Sequence, residues 1–473
     1  MKSLELVVVL GLALLIGNLL SPWLRLAPPV LLVGLGVLAG FAPQLRGVRL
    51  EPEAVLLLFL PALLFWESLT TSLREIRSNL RVIVLTSTLL VAATAAIVAA
   101  TAHALGLPWG PAWVLGAAVA PTDATAVGAL AGSLPRRTIS VLRAESLVND
   151  GTALVIFGLA VGSSRPGVAL TGWLLIWSYA GGCATGALVG AAATRIRRRL
   201  TDPTLENVTI LLIPFTAYLI AEQARASGVI AVVVAGLMMG HAGPRLGKPR
   251  TRQQTFAFWG LATFLLNGAL FVLIGVQAHA AVRGLSGVTV TRGLLAVAAT
   301  SIAVVGARFL WLFTTPYLIR ALDRRPGQRA RRVGARARVV SGVSGFRGAV
   351  SLAVALSIPA AYPSRGLIVF TVCGVIIATL LVQAALFPRV VRWARLPADT
   401  AFDDELRLAE HEMADAARHV AANGDGDTDR RLAVIAARRR ALVGLRDAGR
   451  IDDSVLRYVE ERLDAEETLL KRQ

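Results

Sequence analysis

Apolar residues fill the first 395 positions in blocks long enough to cross a bilayer, separated by short, arginine-bearing connections. Thirteen spans are predicted, at roughly 3–20, 28–42, 53–72, 81–105, 111–132, 139–163, 168–194, 207–225, 228–242, 255–281, 292–320, 341–362 and 365–388. About 20 apolar residues in a helix cover the hydrocarbon core of a membrane. The first block lacks both a basic run before it and a small-x-small cleavage site, so it reads as a span rather than a signal peptide. From about Leu396 the pattern changes. A charged helix is predicted over 404–421, a polar linker over Asn423 to Asp427, and a helical hairpin over 429–448 and 452–470. The hairpin turns at Ala448-Gly449-Arg450, with Asp452 or Asp453 capping its second helix. Val455, Val459 and Leu463 share one face at helical spacing. The expected organisation is a transmembrane domain over 1–395 and a cytoplasmic helical tail over 396–473, a regulatory or dimerisation appendage.

Composition agrees with an all-α polytopic membrane protein: 55% of residues are hydrophobic and only 17% charged. The net charge of +19 is unevenly spread. Residues 1–395 hold 36 Lys/Arg against 12 Asp/Glu, whereas the tail holds 13 against 18. The arginines concentrate in alternate connections, notably Arg195 to Arg199 and Arg320 to Arg338. By the positive-inside rule this places the N-terminus outside and the C-terminus in the cytoplasm. Such basicity needs the lipid bilayer as partner and no nucleic acid. Cys183 and Cys373 both fall inside apolar spans and read as packing residues. There is no nucleotide-binding loop, metal-ligand spacing or nucleophile constellation, so the chain does not read as an enzyme.

The chemistry lies in the few acids within spans: Glu67, Asp123, Glu145, Asp150 and Glu222. A carboxylate at a helix centre costs about 2.5–3.5 kcal/mol on insertion scales, and such residues usually mark ion or proton pathways. In the sixth span Ser146 and Asp150 are four residues apart and share a stripe, offering a hydroxyl and a carboxylate to a cation. Glu145 and Asn149 share the neighbouring stripe. In the fifth span Pro121 removes a backbone donor, and the side chains of Thr122, Asp123 and Thr125 compete for backbone groups. The segment is therefore expected to unwind and line a polar cavity, as the broken helices of secondary transporters do. In the twelfth span Arg347 lies among glycines that permit a second break; it either snorkels to the cytoplasmic interface or neutralises one of the surplus acids, for which Glu145 is the expected partner. Glu67, after Pro61, is a possible supporting acid. Glu222 and Arg225, three apart, are expected to pair with each other.

These residues resemble bacterial sodium/proton antiporters of cation:proton antiporter family 1, relatives of the animal sodium/proton exchangers. The resemblance spans essentially the whole chain. It rests on Pro121-Thr122-Asp123, on the run from Glu145 to Gly151 and on Phe346-Arg347-Gly348-Ala349-Val350-Ser351, together with the tail around Arg446 to Asp453. It implies thirteen helices in two inverted repeats with unwound crossing helices, a homodimer, and no cofactor beyond the transported sodium ion and proton. It implies cation binding by Asp150, Asp123, Thr122 and Ser146, with the proton on Asp150. Asn149, Glu145 and Arg347 then support the site, and Glu67 contributes through water. Asn149 before Asp150 is associated with electroneutral exchange. One departure is Ala124, followed by Thr125, where the family commonly has Pro. The expected function is exchange of sodium, or of lithium or potassium, for protons in pH homeostasis. A potassium/proton exchanger, a cation channel and a membrane ion sensor are the alternatives.

Overall fold

The computed structural model describes residues 2–24, 26–42, 55–123, 134, 136–162, 168–283, 285, 290–322, 334–396, 400–421 and 427–471. All regular structure among them is helical. In chain order the helices are α1 Lys2–Leu24, α2 Pro28–Ala39, a π-turn at Val55–Phe59 running into α3 Leu60–Thr70, α4 Leu73–Ala104 and α5 Trp109–Val119. Then follow α6 Arg136–Val161, α7 Val168–Arg197, α8 Pro203–Gln223, α9 Gly228–Leu246, α10 Pro249–Arg283 and α11 Val290–Leu322. The rest are α12 Ala335–Val343, α13 Ala349–Leu356, α14 Arg365–Ala394, α15 Ala401–Ala421, α16 Asp427–Asp447 and α17 Asp453–Leu470.

Among the described residues, nine helices are long and apolar enough to cross a membrane: α1, α4, α6 to α11 and α14. The other predicted spans are built from shorter pieces, and two of them show why. Pro121 has no N–H to donate and its ring clashes with the preceding turn, so α5 stops at Val119. The twelfth predicted span, 341–362, takes in the end of α12 and all of α13, with 345–348 non-helical between them. The linker near Asn423 and the departure at Ala124 lie outside the described residues.

The chain forms two compact units. The first comprises residues 1–63, 81–179 and 263–397. Its core packs α5 against α6, α13 and α14, with Leu115, Val119, Phe346, Leu352, Ile376 and Phe387 all buried. Both helix breaks are embedded in this core.

The second unit comprises residues 64–80, 180–262 and 398–473. Here α15, α16 and α17 enclose their own small core, in which Val455, Val459 and Leu463 are buried. Asp452 caps α17 by accepting from the Ser454 N–H at 2.9 Å. The same residue accepts from the Ser72 hydroxyl at 2.6 Å. Arg446 donates to the His241 carbonyl at 2.9 Å, and Arg252 and Arg439 both reach Asp464. Burial pushes the Glu460 carboxyl up, against the pull of Arg252. The expected Glu222–Arg225 pair does not form. Glu222 instead accepts from the Gly228 N–H at 3.3 Å, and Arg225 takes the turn with φ +53°, which carries its side chain out of helical register. Cys373 is buried as expected, whereas Cys183 is exposed, and both are free.

Candidate ion-binding site

The two helix breaks meet. The Asp123 N–H donates to the Phe346 carbonyl at 2.8 Å, which ties one non-helical segment to the other. Interrupting a helix leaves carbonyls without partners, and in a membrane core they must be satisfied within the protein. Three described carbonyls of the first break have one. Arg347 Nη1 donates to the carbonyl of Ala120 and, at 2.6 Å, to that of Pro121. The Thr122 carbonyl accepts from the Ser146 hydroxyl at 2.7 Å. The Thr122 hydroxyl accepts from Asn149 Nδ2 at 2.8 Å. Ser146 and Asn149, three residues apart on α6, thus hold Thr122 from both its backbone and its side chain.

Asp150 follows Ser146 by one turn and is 4% exposed, while Asp123 is half-buried. Asp123 packs directly on Gly348: a Cβ built there would lie 1.8 Å from Asp123 Oδ2. Only glycine lets the two segments approach this closely. Asn149 Oδ1, Arg347 Nε and Ser351 Oγ are buried and reach no hydrogen-bond partner among the described residues. These atoms add one acceptor, one donor and one hydroxyl to the buried polar groups around the two breaks.

Arg347 does not pair with Glu145, contrary to the sequence expectation. Glu145 Oε1 is held by Arg308 Nη1 at 2.7 Å, and the Arg308 side chain is 3% exposed. Arg308 also donates through Nε to the Ser341 carbonyl at 2.9 Å. It passes over Gly345, where a Cβ would meet Arg308 Cδ at 2.6 Å. Arg347 is left to close the C-terminal end of α5, where a cation also suits the helix dipole. Arg308 is the residue that sequence reasoning missed. The signal was a charge within the apolar block 292–320, the same signal that singled out the acids.

The remaining candidate, Glu67, lies in the second unit on α3 and is half-buried. Its carbonyl accepts from the Thr71 hydroxyl at 2.6 Å.

Arg308→Gln is expected to destabilise the protein by about 3–5 kcal/mol, because it strands a charge that has lost its partner. Thermal unfolding in detergent checks this, and the double variant Arg308→Gln/Glu145→Gln should recover part of the loss. A single variant as stable as the parent would show the pair to be incidental.

Buried and half-buried carboxylates beside crossing helix breaks are the arrangement in which secondary transporters bind ions. Sequence comparison places the chain further: residues 10–393 match the sodium/hydrogen exchanger transmembrane family, and the chain belongs to that family. It is similar to an uncharacterized Na(+)/H(+) exchanger of Mycobacterium tuberculosis, with 43% identity over 99% of this chain and 96% of that protein. It is 30% identical to a sodium, potassium, lithium and rubidium/H(+) antiporter of Bacillus subtilis, over 81% of this chain and 60% of that one. Its fold is that of the sodium proton antiporter MjNhaP1 of Methanocaldococcus jannaschii, with TM-score 0.64, 18% identity, and 84% and 100% of the two chains covered. The family is one of transporters, not of enzymes.

Proposed function

We propose that this chain exchanges sodium for protons across the cytoplasmic membrane, with both ions competing for Asp150. The observation that carries this reading is the charge balance of the site. Three carboxylates, Asp123, Glu145 and Asp150, stand with two guanidiniums, Arg308 and Arg347. Fully ionised, the cluster has one surplus negative charge. A single sodium ion or a single proton neutralises it, and burying an uncompensated charge is costly. One-for-one, electroneutral exchange follows, because the site is neutral when either ion is bound and charged when empty.

Asp150, Asp123, the Ser146 hydroxyl and a lone pair of the Thr122 carbonyl supply the hard oxygen ligands a small cation takes. Asn149 holds Thr122 in place, Glu145 is neutralised by Arg308, and Arg347 keeps the broken helix end closed. No cofactor beyond the transported ions is required. Alternating access exposes the site to one side of the membrane and then to the other. The protein works as a homodimer, with its N-terminus outside and its C-terminus in the cytoplasm. Residues 1–395 carry transport and residues 396–473 regulate it.

The second reading, potassium/proton exchange, is favoured by the named ions of the Bacillus relative. Fluorescence-monitored proton flux in everted vesicles separates them, with sodium, lithium and potassium added in turn. Sodium should dissipate the proton gradient. A response to potassium alone would replace the first reading with the second.

A further inference from the structure

We propose that a cleft at the end of α14 holds the headgroup of an anionic phospholipid. The cleft measures about 560 Å³ and is lined by Arg336, Arg389, Arg392, Trp393 and Arg395. All four arginines are exposed, and among the described residues no carboxylate forms an ion pair with any of them. Arg389 and Arg392 each spend one N–H on a carbonyl of their own helix, those of Ala385 and Pro388. A guanidinium has five N–H donors, so most remain to face the cleft.

Helix polarity accounts for three of these charges but not the fourth. Cations suit the C-terminal end of α14, where Arg389, Arg392 and Arg395 sit. Arg336 occupies the first turn of α12, the end where the helix dipole disfavours a cation. That turn also has no side-chain cap, since its N-cap is Gly334. Arg336 nonetheless lies over the Trp393 ring, 5.8 Å from its centroid, facing the α14 arginines. An anion between the two helices compensates all four charges at once, and phosphate esters are well matched to guanidinium forks.

The source of the anion follows from what leads to the cleft. Val382, Leu386, Arg389 and Trp393 are spaced i, i+4, i+7 and i+11, so they form one stripe along α14. Val382, Leu386 and Trp393 are all about half exposed, in a helix long and apolar enough to span the membrane. An apolar track ending in a tryptophan and an arginine cluster matches a lipid's own order, acyl chain and then phosphate, at the membrane–water interface. A free phosphate ion makes no use of that track.

Native mass spectrometry of the full-length protein, freed in neutral detergent, tests this with phosphatidylglycerol, phosphatidylcholine and inorganic phosphate as probes. Phosphatidylglycerol should be retained in preference to phosphatidylcholine, and inorganic phosphate should not displace it. Each arginine near an anionic surface is worth about fivefold in binding, so Arg389→Gln/Arg392→Gln should weaken retention about 25-fold. Arg336→Gln alone should weaken it about fivefold and leaves α14 untouched if the double variant fails to fold. The exposed pair Arg430→Gln/Arg440→Gln on α16, in the charged tail, serves as the control and should change nothing. Equal retention by the Arg336 variant and the parent overturns the proposal. Displacement by inorganic phosphate overturns it in favour of a free-anion site.

Discussion

Asp150→Asn should abolish cation-driven proton flux in proteoliposomes while leaving the protein folded. The substitution keeps the side chain's size and removes its charge and its capacity to carry a proton. Truncating one partner of a buried charged contact typically costs about 3–5 kcal/mol, which corresponds to a loss of at least about 100-fold in ion binding. The apolar packing around α6 does not depend on the carboxylate, so size-exclusion behaviour should match the parent. Asp150→Glu keeps the charge but moves it by one methylene, and is expected to transport weakly rather than not at all. Parental flux in Asp150→Asn would remove Asp150 from the centre of the mechanism.

The second large effect is expected at a residue with no functional group. In Gly348→Ala the new Cβ would lie 1.8 Å from Asp123 Oδ2, 2.6 Å from Cγ and 2.8 Å from Cβ. A side-chain tip can swing aside, but the Asp123 Cβ moves only with its backbone. That backbone is pinned by the Asp123 N–H to Phe346 carbonyl bond, two residues from the substitution. The crossing must therefore open. Overpacking of this kind costs about 1–3 kcal/mol, and it displaces a proposed ion ligand at the same time. Transport should fall by about tenfold or more, since binding changes tenfold per about 1.4 kcal/mol. Gly11→Ala is the matched control: nothing lies within 4 Å of its Cβ position, and both stability and transport should hold. Parental transport in Gly348→Ala would mean that the two breaks do not need their close crossing.

How far the sequence reveals this site depends on the kind of backbone each residue occupies. Ser146 and Asp150 lie on a regular helix, so the 3.6-residue period places them on one stripe, and the structure keeps them there. Pro121 announces the first break because its ring cannot continue a helix, and the glycines around Arg347 allow the second. The partner of Arg347 was not legible for the same reason. Arg347 sits on a non-helical segment, where no period fixes the direction of its side chain, and its donors go to the nearest unpaired carbonyls. Those carbonyls, Ala120 and Pro121, exist as acceptors only because the first helix is broken. Glu145 then takes Arg308, which lies 163 residues away in sequence and is brought close by helix packing. The short elements follow the same logic. Helices α12 and α13, of 9 and 8 residues, are each too short to cross a membrane, and the apolar block 341–362 takes in only the end of α12 with all of α13. In the tail, local signals suffice: the Asp452 cap and the Val455, Val459 and Leu463 face appear where the sequence puts them.

One proton should leave the site as one sodium ion enters. Proton release measures this directly: sodium chloride is added to the purified protein in a weakly buffered detergent solution that contains a pH indicator, with choline chloride as the control. Competition for Asp150 predicts release on sodium but not on choline, approaching one proton per bound sodium ion, with the signal lost in Asp150→Asn. Sodium binding with no proton release by the parent protein would contradict it.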